Sequence, residues 1–263
     1  MIKYDYIWCG AGTGRQSGLK NLWYENTVRV RIPLAPLMAK KRLQRIGYEW
    51  SANLAYAIGL LTTDGYISKD KRHVVLTSSD RELLIMFKNC LNKTNRLTIN
   101  PPSTISKKAS YRIQIGDVVF LEWLKKIGLT NNKSLTIGKL KIEDKYFMDF
   151  LRGHLDGDGH IISYIDKYNA HKNPKYIYKR LFIFFSSASQ KHVLWIRNKI
   201  YKLIKIRGSF QENISRSKLG KNSLFSIKYS TKEAIKLANW MYYQPNVPCL
   251  KRKRNKLINY LYV

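Results

Sequence analysis

A nine-residue stretch occurs twice, and its internal spacing constrains the fold more than any other feature of the chain. Ala57-Ile58-Gly59-Leu60-Leu61-Thr62-Thr63-Asp64-Gly65 returns as Leu151-Arg152-Gly153-His154-Leu155-Asp156-Gly157-Asp158-Gly159. Each copy has glycine at its third position, ends in Asp-Gly, and leads into Tyr66-Ile67 or His160-Ile161-Ile162. This reads as a helix that carries a carboxylate to its C-terminal end and turns directly into a strand. Glycine inside a helix costs about 1 kcal/mol relative to alanine, so Gly59 and Gly153 imply a compensating gain, which close approach of two helix backbones supplies. The two copies are expected to pack on each other, with Asp64 and Asp158 side by side at the foot of a pseudo-twofold helix pair. Two such carboxylates repel unless a divalent cation such as Mg²⁺, which prefers carboxylate and carbonyl oxygens, sits between them.

Charge narrows the partner. The 263 residues carry 48 Lys+Arg against 17 Asp+Glu, a formal balance of +31, and the pI is about 10.1. Self-repulsion on this scale destabilises a compact state unless a polyanion relieves it, which points to nucleic acid. Eighteen Tyr and 44% hydrophobic residues argue for a folded protein rather than a basic tail. The charges are spread throughout and no apolar run reaches membrane-spanning length, so no membrane partner is expected. A paired-aspartate metal site on a basic protein suits phosphodiester cleavage.

The pattern between and after the motifs predicts the order α-β-β-α-β-β-α, twice. Ser51 is placed to cap the first motif helix. Strands follow at 66–68 and 73–77, a helix after Asp80, a hairpin from 97–99 and 111–115, and a helix over 118–127. The second round has its motif helix at 146–156, strands at 160–165 and 180–185, a helix over 190–204, a hairpin from 209–212 and 224–229, and a helix over 231–241. The expected fold class is α+β: two pseudo-twofold-related αββαββα units, each with a four-stranded antiparallel sheet whose helices cover one face. The other faces would form a saddle for double-stranded DNA, since strands can read a major groove. The expected reading residues are Tyr66, Ser68, Lys69, Lys71, Arg72, Lys107, Lys108, Arg112 and Gln114, with Lys228 and Arg252 in the second unit.

The paired motifs resemble those of the LAGLIDADG homing endonucleases, in the single-chain form that carries both copies. The second copy keeps an acid at the sixth position, Asp156, where the first has Thr62. The resemblance implies that Asp64 and Asp158 hold Mg²⁺ or Mn²⁺, helped by the carbonyls of Thr63 and Gly157. It implies that Lys133 and Lys253, each in a basic segment ending its unit, assist a metal-bound water. Thr77 and Ser186 are weak matches to the family's water-holding strand position. The implied activity is cutting of both DNA strands by a monomer, in the service of an intron or similar mobile element. An intron-RNA maturase and a DNA-binding regulator without cleavage are the alternatives.

Residues 1–37 are expected to form a leader, with the two units at 38–143 and 144–263. Gly10, Gly12 and Gly14 suggest a dinucleotide loop, but Arg15 stands where that pattern fails and no apolar helix follows. Val30-Arg31-Ile32-Pro33 can be written GTT-CGA-ATT-CC, the T-arm of a transfer RNA gene, which would make Met38 the true start; the other reading is a basic arm. The leader carries five Lys/Arg and two Asp/Glu, so without it the balance is still +28. Cys9, Cys90 and Cys249 are too dispersed for a metal or disulfide framework, and an intracellular location is expected, in cytoplasm, nucleoid or organelle. The five histidines, including His154 inside the second motif, form no ligand spacing.

Overall fold

The computed structural model describes residues 48–102, 108–131, 133–217 and 220–261, all within the compact unit Arg45–Val263. The leader and Lys107 lie outside the described residues.

The first half runs α1 (Ala52–Thr63), β1 (Gly65–Ile67), β2 (His73–Ser78), α2 (Arg81–Cys90), β3 (Leu97–Asn100), β4 (Ser110–Gly116), α3 (Val118–Ile127) and a short α4 (Lys133–Thr136). After a 3₁₀ turn at Asp144–Tyr146, the second half repeats the order. It runs α5 (Phe147–Asp156), β5 (His160–Asp166), β6 (Tyr178–Ser187), α6 (Gln190–Ile204), β7 (Ser209–Ser217), β8 (Gly220–Ser230), α7 (Thr231–Met241), α8 (Lys251–Arg254) and a 3₁₀ segment at Asn255–Tyr260. The sheets have matching orders, β1-β2-β4-β3 and β5-β6-β8-β7, with antiparallel pairing throughout. No described helix is long and apolar enough to cross a membrane.

The helix starts follow local chemistry. The Ser51 hydroxyl accepts from the Leu54 amide at 3.1 Å, and the Asp117 carboxylate from the Phe120 amide at 2.9 Å, each satisfying an amide that the first turn leaves without a partner. Asp80 stands at the start of α2 as expected, but its side chain makes no capping bond. It pairs instead with Arg252, whose Nη2 lies 2.6 Å from the carboxylate.

In each sheet alternate positions face the helices, and Val75 of β2 is buried on the opposite face as well. Val74, Leu76, Ile113 and Ile115 face the helices in the first half; Leu181, Ile183, Phe185, Ile227 and Tyr229 do so in the second. These meet Leu83, Leu84, Phe87, Phe120 and Leu124 on one side and Val193, Ile196, Ile200, Leu237 and Met241 on the other, in one continuous core.

The centre of that core is the α1–α5 pair. A Cβ on Gly59 would run into the Phe150 carbonyl oxygen and sit 2.6 Å from the His154 amide nitrogen. A Cβ on Gly153 would collide with the Tyr56 carbonyl oxygen and lie 3.2 Å from the Gly59 Cα. The two glycines therefore face each other where the helices cross, as their shared position in the motif predicts. The Tyr56 hydroxyl donates to Asp156 Oδ2 across the crossing at 2.8 Å. The twin positions in the other direction are Phe150 and Thr62, and the Thr62 hydroxyl donates to the Gly59 carbonyl of its own helix at 2.6 Å.

Two lengths differ from the sequence reading. The β7–β8 hairpin extends to Ser217 and Gly220, well past the expected ends at 212 and 224, because backbone pairing continues where apolar alternation stops. The segments that carry Lys133 and Lys253 are single-turn helices, α4 and α8, too short to show a helical period.

Candidate active site

Both motif helices end at one place. Thr63, the last residue of α1, packs so closely on Gly157 that a Cβ at Gly157 would strike the Thr63 hydroxyl. Asp64 and Asp158 follow immediately, Asp64 half-buried and Asp158 exposed. Among the described residues neither carboxylate makes a hydrogen bond or an ion pair. Burial, and then the negative charge of Asp158, push the Asp64 carboxyl up to about 6 against the pull of Lys253 and Lys133. Burial also raises the Asp158 carboxyl, with Lys133 and Lys253 opposing. The motif helices thus bring together the two acids that the repeat singled out, in a setting where each disfavours charge on the other.

Each motif terminus is met by a buried lysine from the segment that ends its half. Lys133 Nζ donates to the Thr62 carbonyl at 2.9 Å and the Thr63 carbonyl at 3.3 Å. Lys253 Nζ is ringed by four carbonyls, of Leu155 at 2.6 Å, Asp156 at 2.8 Å, Gly157 at 3.0 Å and Gly159 at 2.6 Å. The last carbonyls of a helix have no partner within it and sit at its negative end, so a cation belongs there. Burial pushes both ammonium groups down to about 8, against the attraction of the nearby aspartates. The pseudo-symmetry is imperfect: four acceptors saturate Lys253, whereas Lys133 also lines an open cleft.

That cleft, about 410 Å³, is lined by Thr62, Thr63, Lys133, Asp158, His160, Ser186 and neighbouring residues of α4 and β6. Ser186, a weak match from sequence, therefore borders the same space as Asp158, while Thr77 does not. His160 is a member that sequence reasoning missed. Its signal was available: it occupies the position after the second motif that Tyr66 occupies after the first. His160 stacks on Phe184 with ring centroids 4.1 Å apart and planes within 9°.

Asp156 links the helix pair to the lysine. Its Oδ2 accepts from Tyr56 and from the Leu250 amide at 2.7 Å, and Leu250 leads into α8, which carries Lys253. Burial pushes its carboxyl up to about 6, opposed by those two donors. Arg152, fully buried, pairs with Asp149 on the same helix at 2.6 Å and ties that helix to the end of α7 and the chain beyond it through the Met241 carbonyl at 2.5 Å and the Pro248 carbonyl at 2.7 Å. His154 is also buried, beside His192 with centroids 5.4 Å apart, and desolvation keeps both imidazoles well disposed to the neutral form.

The donor set fits a divalent cation. Two carboxylates without hydrogen-bond donors, with the Thr63 and Gly157 carbonyls beside them, offer only hard oxygen atoms, and Mg²⁺ is commonly held by one or two carboxylates with water completing its shell. The described residues contain no cluster of three or more His, Cys, Asp or Glu for a metal, so the two aspartates are the anionic part of the set. The two carbonyls also accept from Lys133 and Lys253, and a carbonyl has a second lone pair for a cation.

The expected reading residues divide by environment. Tyr66, Lys69, Lys71, Arg72, Lys108 and Gln114 are exposed. Register places Tyr66, Val75 and Gln114 on one face of the first sheet, together with Thr77, Arg112 and Thr98. Arg112 is half-buried and donates to Gln114 at 2.9 Å. Ser68 is engaged locally with Asp70 and the His73 backbone. Lys228 lies over the Phe182 ring at 4.3 Å. Arg252 is committed to Asp80 across the two halves, a partner that a linear reading of the basic run could not reveal.

Residues 51–128 match the family model of the LAGLIDADG-like domain. An uncharacterized protein of Methanocaldococcus jannaschii is 23% identical over 61% of this chain; the match spans 58% of that relative's own length. The LAGLIDADG homing endonuclease I-SmaMI, solved with cleaved DNA, aligns with a TM-score of 0.50 at 12% identity over 80% of this chain and 88% of that one. The same meganuclease solved on uncleavable DNA gives 0.50 at 13% identity over 76% and 87%. At such identities the structural likeness speaks for the fold, and it extends over both sheets. Its matched first domain, its twin motifs and its two-sheet α+β fold make the chain similar to the LAGLIDADG homing endonucleases.

Proposed function

We propose that the chain is a site-specific endonuclease that hydrolyses both strands of double-stranded DNA, with Asp64 and Asp158 holding Mg²⁺ or Mn²⁺. The observation that carries this reading is the convergence of two donor-free carboxylates and two lysines at the joined ends of α1 and α5. A bound cation would lower the pKa of a coordinated water and neutralise charge on the phosphate in flight.

The remaining work falls to the chain's own groups. Asp64 and Asp158, one from each helix, fix two sites related by the pseudo-twofold, so each strand of a duplex meets one acid. The Thr63 and Gly157 carbonyls complete the oxygen lining. Lys133, with two carbonyl partners and access to the cleft, can present its ammonium to a phosphate oxygen and, with its pKa near 8, exchange a proton with water there. Lys253, ringed by carbonyls, chiefly holds the second motif's terminus in place. Tyr66, Lys69, Lys71, Arg72, Lys107, Lys108, Arg112 and Gln114 in the first half, and Lys228 in the second, would contact the duplex; Arg252 would do so only by leaving Asp80. We propose further that the protein acts as a monomer inside the cell, and that cutting promotes mobility of an intron or similar element.

A DNA-binding regulator needs no pair of acids at the joined helix ends, and their presence in both motifs supports cleavage. The test is incubation with duplex DNA spanning the uninterrupted insertion site, with and without Mg²⁺. Cation-dependent double-strand cutting by the wild type, and binding without cutting by Asp158→Asn, are expected. Unchanged cutting by that variant would remove Asp158 from the mechanism.

A further inference from the structure

The two halves differ at the corner between the second helix of each unit and its third strand. In the first half this corner joins α2 to β3, and its cation is committed: Lys93 Nζ lies 2.8 Å from Asp117 Oδ2, on the residue that caps α3. The residue at the start of α7 is Ser230, which brings no charge. The corner from α6 to β7 carries Lys205 and Arg207, and Arg197 reaches it from α6. Lys205 and Gly208 both have positive φ, 55° and 61°, a backbone that a lysine adopts only at a cost.

The turn is clamped from both sides. Glu233 accepts from the Arg207 and Gly208 amides at 3.1 and 3.2 Å, and Arg197 donates to the carbonyls of the same two residues at 3.0 and 3.3 Å. The acid is therefore spent on backbone, and among the described residues none forms an ion pair with Arg197, Lys205 or Arg207. The Arg207 guanidinium lies 4.8 Å, and Lys205 Nζ 5.6 Å, from the Tyr201 ring centroid, which steadies both cations. Arg197, Asn198, Tyr201 and Arg207 line a cavity of about 150 Å³. The Arg207 guanidinium, the Asn198 amide and the Tyr201 hydroxyl make no hydrogen bond among the described residues, so their donors are free. Two guanidinium groups beside one small cavity repel, and a phosphate group relieves the repulsion while matching their planar forks.

We propose that the corner between α6 and β7 is a phosphate-binding pocket, through which the helix side of the second half holds a nucleic-acid backbone apart from the sheet faces. α6 meets the core through Val193, Ile196 and Ile200, and Arg197, Asn198 and Tyr201 occupy its unburied side. The two helices of this half also expose Lys191, Lys232 and Lys236, none paired with a described acid. These further cations favour a polyanion over free phosphate, whose chemistry the pocket would equally accept. The pocket shares no residue with the cleft at Asp158, so the inference adds a site to the proposed nuclease without drawing on its chemistry.

The test uses the full chain without divalent cations at constant ionic strength, titrated calorimetrically with inorganic phosphate and, separately, with a short DNA duplex. Arg207→Gln removes a side chain that makes no hydrogen bond among the described residues, and Asn198→Asp keeps the size and adds a negative charge. Each is expected to weaken phosphate binding about tenfold, the scale of a charge-assisted hydrogen bond, and to abolish the second, weaker duplex equivalent that the wild type takes up. Thermal melting, and cutting once Mg²⁺ is supplied, should stay as in the wild type. Phosphate binding that is equal in the wild type and both variants would overturn the pocket. A single duplex equivalent on the wild type, with phosphate binding still lost in the variants, would overturn the nucleic-acid contact in favour of free phosphate. Asp158→Asn keeps this reading separable from the nuclease reading: it should lose cutting and bind phosphate as the wild type does, so either reading can fail alone.

Discussion

Asp64 and Asp158 gain from their position a property that neither would have on an open surface. Because Asp64 titrates near 6 rather than near 4, a proton competes with a cation for it in mildly acidic solution. Cation-dependent cutting is expected to fall about tenfold per pH unit below about 6, measured as initial rate against pH at fixed Mg²⁺. Stability should move the other way. A carboxyl whose folded pKa is raised contributes stability that is fully present below its unfolded pKa, near 4, and is lost as pH rises through about 6. Without divalent cations, the wild type should therefore lose melting temperature relative to Asp64→Asn between pH 4 and pH 6.5; parallel curves would contradict the shift. Asp64→Asn and Asp158→Asn should each lower cutting by about a thousandfold or more, the several kcal/mol that a metal site supplies to a phosphoryl transition state. The two lysines should part company. Lys253→Met orphans four buried carbonyls and should cost about 3 kcal/mol of stability in chemical denaturation, whereas Lys133→Met should cost less stability and more of the cutting rate.

The crossing of α1 and α5 is the element on which both halves depend. Gly59→Ala or Gly153→Ala drives a methyl group into the facing helix backbone, and a destabilisation of about 3 kcal/mol or more is expected in urea unfolding. Asp156 gives a finer test. Asp156→Asn can still accept from Tyr56 and Leu250, but Asp156→Ala leaves both donors unpaired in the core and should cost about 2–4 kcal/mol; equal stability of the two variants would show that the bridge carries no weight. The helix pair, the eight strands and the longer helices were legible because their signals are local and repeated: glycine at the third motif position, Asp-Gly at the end, and apolar alternation after it. What escaped the sequence depends on partners far along the chain. Nothing near Lys253 tells that it meets the carbonyls of Leu155 through Gly159, nor does the run 251–254 reveal that Arg252 closes on Asp80.

At the scale of the whole molecule, a chain of formal charge +31 contains a fold whose two sheets share one core and whose paired acids meet where the motif helices end. Binding to duplex DNA should weaken steeply with salt, with a slope near −0.9 per phosphate neutralised; replacing Lys69 and Lys71 by Gln should reduce that slope by about two if both contact phosphates. These electrostatics would serve a nuclease and a silent binder equally well, so they do not test the centre of the account. Anomalous diffraction from crystals grown with Mn²⁺ does. The account predicts a manganese peak against the carboxylates of Asp64 and Asp158, absent from crystals of the Asp64→Asn/Asp158→Asn variant. Ordered wild-type carboxylates with no peak beside them would contradict it.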